Sequence, residues 1–142
     1  MELPFQTVVR SEVETETVAK SFAKGLSCGE VVVLQGELGA GKTFFIKKAL
    51  MNYGIHWANS PSFTIVNEYS NSFRFYHIDF YRLKSTKELF EIGFDDYLND
   101  KDAIVFIEWG NLFPQALPPS RIEISIKINS DNSRDIQIQK YA

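Results

Sequence analysis

The chain has 142 residues and a formal net charge of −3, with 15 Lys and Arg against 18 Asp and Glu. That length suits one domain spanning 1–142, and its 44% apolar and 23% charged residues are ordinary globular usage, which excludes disordered and collagen-like chains. The mild acidity argues against tight nucleic-acid binding by this chain alone, because such binding needs a basic surface that releases phosphate counterions.

The first residues, Met1-Glu2-Leu3-Pro4-Phe5, contain no basic stretch followed by an apolar one, so no secretory leader is read there. Ser11-Glu12-Val13-Glu14 is a capping box that opens a helix running to about Lys24, with Val18 and Phe22 facing inward. Cys28 is the only cysteine, which rules out an internal disulfide and a cysteine-rich metal site and fits a reduced intracellular compartment. Val31 to Leu34 is the longest aliphatic run, far short of the ~20 residues that cross a bilayer, so a cytoplasmic protein without membrane attachment is expected.

Val31 to Gln35 reads as a strand buried on both faces, followed by a glycine-rich turn and a helix that starts near Gly41 or Lys42 and stops at Gly54. A turn at Asn59–Ser62 leads to two paired strands, Phe63–Tyr69 and Phe73–Phe80. Ser85-Thr86-Lys87-Glu88 is a second capping box opening a helix with Leu89, Phe90 and Ile92. Ala103 to Ile107 is another fully apolar strand, and Arg121 to Ile128 alternates strictly, as a half-exposed antiparallel strand does. A turn at Asn129–Arg134 then leads to a strand through Ile136 and Ile138. The expected fold class is α/β: a three-layer sandwich of central parallel strands with antiparallel strands at the edge.

Gly36-Glu37-Leu38-Gly39-Ala40-Gly41-Lys42-Thr43 matches the phosphate-binding pattern G-x-x-x-x-G-K-[S/T]. Its glycines let the backbone close on a phosphate, and the N–H groups of Gly39, Ala40, Gly41, Lys42, Thr43 and the adjoining Phe44 lie where they can face the anion. Lys42 would supply charge to the β- and γ-phosphates and the Thr43 hydroxyl would join a magnesium shell, so ATP and Mg2+ are the expected ligands. A chance match in so short a chain is on the order of one per cent, and the flanking strand and helix are the context the motif needs.

Such a site also needs an acid at the end of a neighbouring strand. Glu108 closes Ala103–Ile107 and is the expected magnesium-side acid; Asp79 closes Phe73–Ile78 and is the second candidate. Ser60-Pro61-Ser62-Phe63-Thr64 is either an ordinary turn or a switch loop that senses the γ-phosphate. His77 is either a core histidine or catalytic, and Trp109 either packs or offers a partner a platform.

Taken together, Gly36–Thr43, Ser60–Thr64, His77-Ile78-Asp79-Phe80-Tyr81-Arg82-Leu83 and Glu108-Trp109 resemble the TsaE (YjeE) family of small bacterial P-loop ATPases over most of the chain. The resemblance implies an ATPase needed to make threonylcarbamoyladenosine, the modified adenosine beside the anticodon of tRNAs that read codons starting with A. The sequence shows no obvious arginine finger or water-positioning Gln, so slow hydrolysis by the chain alone is expected. The resemblance also implies TsaD and TsaB as partner subunits, with tRNA met indirectly through that complex. Family roles carried onto this sequence put Thr43 and Glu108 on magnesium, Lys42 on phosphate, Ser60–Thr64 in the switch loop, and Glu12 and Arg134 on the nucleotide. The chain departs from the family's usual pattern at Ser62, where Thr is common, and at Gly110 and Asn111, which loosen the expectation of a rigid segment after Trp109. Two other classes stay open on the residues alone. One is a small P-loop kinase, disfavoured by the short length and only five arginines; the other is a nucleotide-gated binding module that does not need hydrolysis.

Overall fold

The computed structural model describes residues 1–59 and 65–142. Its strands are β1 (Phe5–Val9), β2 (Val31–Gln35), β3 (Val66–Ser70), β4 (Arg74–Asp79), β5 (Ala103–Glu108), β6 (Arg121–Ile128) and β7 (Arg134–Tyr141). They form one sheet in the order β1-β7-β6-β2-β5-β4-β3. The helices are α1 (Glu12–Ala23), α2 (Lys42–Met51), α3 (Thr86–Glu91) and α4 (Phe94–Leu98). Short 3-10 turns lie at Phe80–Arg82, Gly110–Leu112 and Pro114–Ala116. None of the described helices is long and apolar enough to cross a membrane.

The four central strands, β6, β2, β5 and β4, run parallel to one another. Strand alternation sends their side chains into two cores. Val32, Leu34, Ile104, Phe106, Ile122 and Ile124 pack with Phe22 of α1 and with Phe45, Ile46 and Leu50 of α2. Val31, Val33, Ala103, Val105 and Ile107 pack on the other face with Phe80, Leu83, Leu89 of α3 and Phe94 of α4. Every residue of β5 is buried, the signature of a strand covered on both sides. The result is a sheet between two helical layers.

Ser11 caps α1 as its sequence predicts, accepting from Glu14 N–H, while the Glu14 carboxylate reaches back one residue further and accepts from Arg10 N–H. The second box is half made. Ser85 makes no side-chain cap to α3, but Glu88 accepts from Lys84 N–H.

Three features go beyond the sequence reading. Antiparallel pairs flank the parallel centre on both sides, β3 against β4 at one edge and β7 and β1 at the other. The alternating strand β6 is antiparallel only to β7 and is parallel to β2, because its isoleucines complete the core beneath α1 and α2. β1, with only Val9 buried, and α4, five residues after Gly93, carry too little pattern to be read in isolation.

Gly110, one of the departures from the family pattern, is buried where the chain leaves β5. A Cβ at this position would come under 3.0 Å from Val33 Cγ1 of the central strand and would also crowd Leu117. The segment after Trp109 is therefore closely packed, contrary to the looser expectation, and the small residue is what permits the packing. Gly110→Ala should lower stability by about 1–3 kcal/mol through overpacking, read as a lower midpoint in urea unfolding; an unchanged midpoint would contradict this packing.

Candidate functional site

The loop 36–43 joins the end of β2 to the start of α2. Gly41, at φ +111°, turns the chain into the first turn of α2, a conformation that a side-chain-bearing residue adopts only at a cost. Lys42 is buried, and its ammonium donates to the carbonyls of Gly36 at 2.6 Å and Glu37 at 3.0 Å. The same ammonium sits 4.1 Å from the ring centroid of Trp109. Burial pushes the Lys42 pKa below its ordinary value, opposed by the nearby charges of Glu108, Asp79 and Glu37.

β4 and β5 end beside this loop. Their parallel register sets Asp79 next to Glu108, and Glu108 next to Leu34 of β2. The Thr43 hydroxyl donates to the Glu108 carboxylate, 2.8 and 3.0 Å from its two oxygens. His77 Nε2 donates to Glu108 Oε2 at 2.6 Å, both side chains being almost fully buried. That contact selects the Nε2–H tautomer and leaves Nδ1 as the one buried side-chain polar atom without a partner among the described residues. Asp79 accepts from Tyr81 N–H, and burial raises its pKa despite that bond, with the Glu108 charge adding to the rise.

Trp109 has φ +61°, unusual for a non-glycine residue and worth about 1–3 kcal/mol of strain. Its backbone N–H is held by Leu34 C=O, and its ring packs against both the Lys42 ammonium and the Tyr81 ring, whose centroid is 5.1 Å away. The strained backbone thus aims an indole across the phosphate loop.

Two cavities meet at the loop. One, of about 440 Å³, is lined by Lys42, Thr43, Asp79, Arg82, Glu108 and Trp109. The other, of about 310 Å³, lies among Arg10, Glu12, Thr15, Ala40, Asn132 and Arg134. Gly39, Gly41 and Phe44 border both. Arg134 is fixed there, donating from Nε to Ala40 C=O at 3.2 Å and from Nη1 to Asn132 C=O at 2.6 Å.

The structure therefore brings together Lys42, Thr43, Asp79, Glu108, His77 and Trp109 on one side of the loop, and Glu12, Ala40 and Arg134 on the other. The switch-loop reading of Ser60, Pro61, Ser62, Phe63 and Thr64 falls outside the described residues. Arg10, Thr15, Asn132, Tyr81 and Arg82 also line the cavities and were not singled out from sequence. Tyr81 and Arg82 stand in the His77–Leu83 motif, which is the signal that could have found them; the other three carry none.

A glycine loop between a buried parallel strand and a helix, within a sheet layered on both sides, defines a P-loop NTPase-like α/β fold. The family model described as threonylcarbamoyl adenosine biosynthesis protein TsaE matches residues 9–136, and the chain belongs to that family. It is 38% identical over 135 residues to the tRNA threonylcarbamoyladenosine biosynthesis protein TsaE of Rickettsia typhi, covering 93% of this chain and 92% of that one. The Bacillus subtilis protein of the same name is 38% identical over 125 residues, covering 87% of this chain and 77% of its own. A crystal structure of Bacillus subtilis YdiB superposes with a TM-score of 0.82 at 31% identity, covering all of this chain and 88% of that one.

The His77–Glu108 contact has a measurable cost of removal. His77→Ala should destabilise the fold by about 2–4 kcal/mol, since it opens a cavity and takes a donor from a buried carboxylate. His77→Gln, which keeps a donor, should lose less. Equal unfolding midpoints for all three proteins would show that the contact contributes nothing.

Proposed function

We propose that this chain is the ATP-binding and ATP-hydrolysing component of tRNA threonylcarbamoyladenosine biosynthesis, a single domain working in the cytoplasm with TsaD and TsaB. Under this reading tRNA is met through that complex and not by this chain alone. The observation that carries it is the convergence of Lys42, Thr43, Asp79 and Glu108 on one cavity beside the glycine loop.

The residues present fit magnesium. Thr43 Oγ1 and the Glu108 carboxylate stand within 3.0 Å of each other, with Asp79 on the adjoining strand, and hard oxygen donors of this kind suit that ion. When bound with ATP, magnesium neutralises charge on the β- and γ-phosphate oxygens. Thr43 and Glu108 would hold it, exchanging their mutual hydrogen bond for the ion. Lys42 would give up the carbonyls of Gly36 and Glu37 for the phosphates, a move favoured because two dipoles are traded for full negative charges.

His77 fixes the Glu108 carboxylate from behind, so the carboxylate keeps one orientation as its Thr43 bond is exchanged. Asp79 and Glu108 are the groups able to orient an attacking water. The second cavity, with Glu12, Phe44 and Arg134, takes the nucleoside end, since Gly39 and Gly41 border it and the phosphate cavity alike. The switch-like role of Ser60–Thr64 belongs to the same reading and rests on the resemblance alone.

Lys42→Ala should weaken binding of a fluorescent ATP analogue at least tenfold while leaving the melting temperature close to wild type. Undiminished binding in a folded variant would remove the site assignment. The lone protein should hydrolyse ATP slowly and TsaB–TsaD should accelerate it, because groups supplied in trans raise phosphoryl-transfer rates by about 10³–10⁵ in other P-loop enzymes. Phosphate release measured with and without those subunits checks this, and an equally fast lone enzyme would refute it. Transfer of phosphate to an acceptor other than water would favour a kinase instead.

A further inference from the structure

Leu89 and Phe90 are adjacent on α3, and a helix turns its side chains by about 100° per residue, so one faces inward and the other out. Leu89 is buried, while Phe90 is 83% exposed, the most exposed large hydrophobic side chain among the described residues. It borders a cavity of about 610 Å³ formed by α3, α4 and the turn Pro114–Ala116, with Leu89, Phe94 and Ala116 as apolar lining. The groove mixes polar and apolar lining, so Phe90 is the apolar anchor it offers, and an aromatic ring left in water gives nothing to the isolated chain.

The electrostatics narrow the occupant. Asp95 and Asp96 line the groove, both exposed and neither in an ion pair among the described residues. Glu91 is exposed next to Phe90, no cation among the described residues lines the groove, and Lys84, before α3, and Lys87, in its first turn, lie outside the lining. Negative charge repels RNA phosphates and anionic lipid, and attracts a protein segment carrying Lys or Arg beside an apolar side chain.

Two segments of chain also link the groove to the phosphate site. The turn Phe80–Arg82 follows Asp79 directly and leads to α3, while Glu108-Trp109 runs through Gly110–Leu112 into Pro114–Ala116. The Phe80 ring ties these arms together, packing edge-on against Phe94 at 5.5 Å and Phe113 at 6.0 Å.

We infer that the Phe90 groove docks a basic, apolar segment of a protein partner in the assembly. The inference rests on the proposed action with TsaB–TsaD and names the face of this chain that they engage. Its test is calorimetric titration of the full chain into a reconstituted TsaB–TsaD complex, using Phe90→Ser and the double substitution Asp95→Lys with Asp96→Lys. Both variants should bind that complex at least tenfold more weakly, while ATP-analogue binding and melting of the lone variants stay near wild type. Either variant binding within twofold of wild type overturns the inference and leaves the assembly reading intact. Absence of binding by the wild type itself overturns both. Dimerisation of the wild type in sedimentation, abolished by Phe90→Ser, would assign the groove to a second copy of the chain and overturn it. So would lost tRNA binding in the reconstituted complex with TsaB–TsaD affinity unchanged.

Discussion

The parallel register of β2, β5 and β4 is the constraint on which the rest of the molecule depends. It aligns Leu34 with Glu108 and Glu108 with Asp79, so three strands end at one height and two carboxylates arrive beside the glycine loop. A one-residue slip would reverse the faces of a strand and send Glu108 away from α2, together with the apolar residues that share its side. The two cores make that slip expensive. Ile104 and Phe106 are fully buried beneath α1 and α2, and Ala103 and Ile107 are fully buried on the other face. Hydrophobic alternation, which carries no catalytic information, thereby fixes the position of the chemistry.

Around that frame the polar groups of the site occupy one another. Lys42 rests on two carbonyls and an indole face, and Glu108 takes the Thr43 hydroxyl and the His77 ring. Burying charges this deeply is costly unless they are paired and hydrogen-bonded. These internal contacts hold the groups in place, and each is of a kind that an incoming anion or cation can replace. The strain at Trp109 is held in the same way, since its left-handed backbone is kept by Leu34 C=O and its indole packs against the Tyr81 ring and the Lys42 ammonium.

Much of this was legible in the sequence because local pattern and long-range placement agree. The run Val31–Gln35, the loop 36–43 and the apolar run Ala103–Ile107 announce a buried strand, a phosphate cradle and a second buried strand. Glu108 and Asp79 stood out as strand-end acids, and the topology did bring them to one edge. The bond between His77 and Glu108 was not legible, because the residues are 31 positions apart and their meeting depends on register, which alternation alone does not determine. The two residues with open readings now have a placement: His77 is buried against Glu108, and the Trp109 ring lies against the Lys42 ammonium. The departure from the family pattern at Gly110 left the rigidity of its segment open, because the contact with Val33 of a strand far away in sequence carries no local signal. β1 escaped notice because an edge strand with one buried residue has almost no pattern of its own.

The hydrogen bond from Arg134 to the carbonyl of Ala40 spans 94 positions of sequence. A ribosome makes the chain from its first residue onward, so the glycine loop emerges long before the arginine that braces it. β2 likewise waits for β5 and then β6, its two neighbours in the sheet, both of which are translated after it. The glycine loop is thus made early and secured late, and a nascent chain cut short before β7 would carry the complete phosphate-binding motif without its brace.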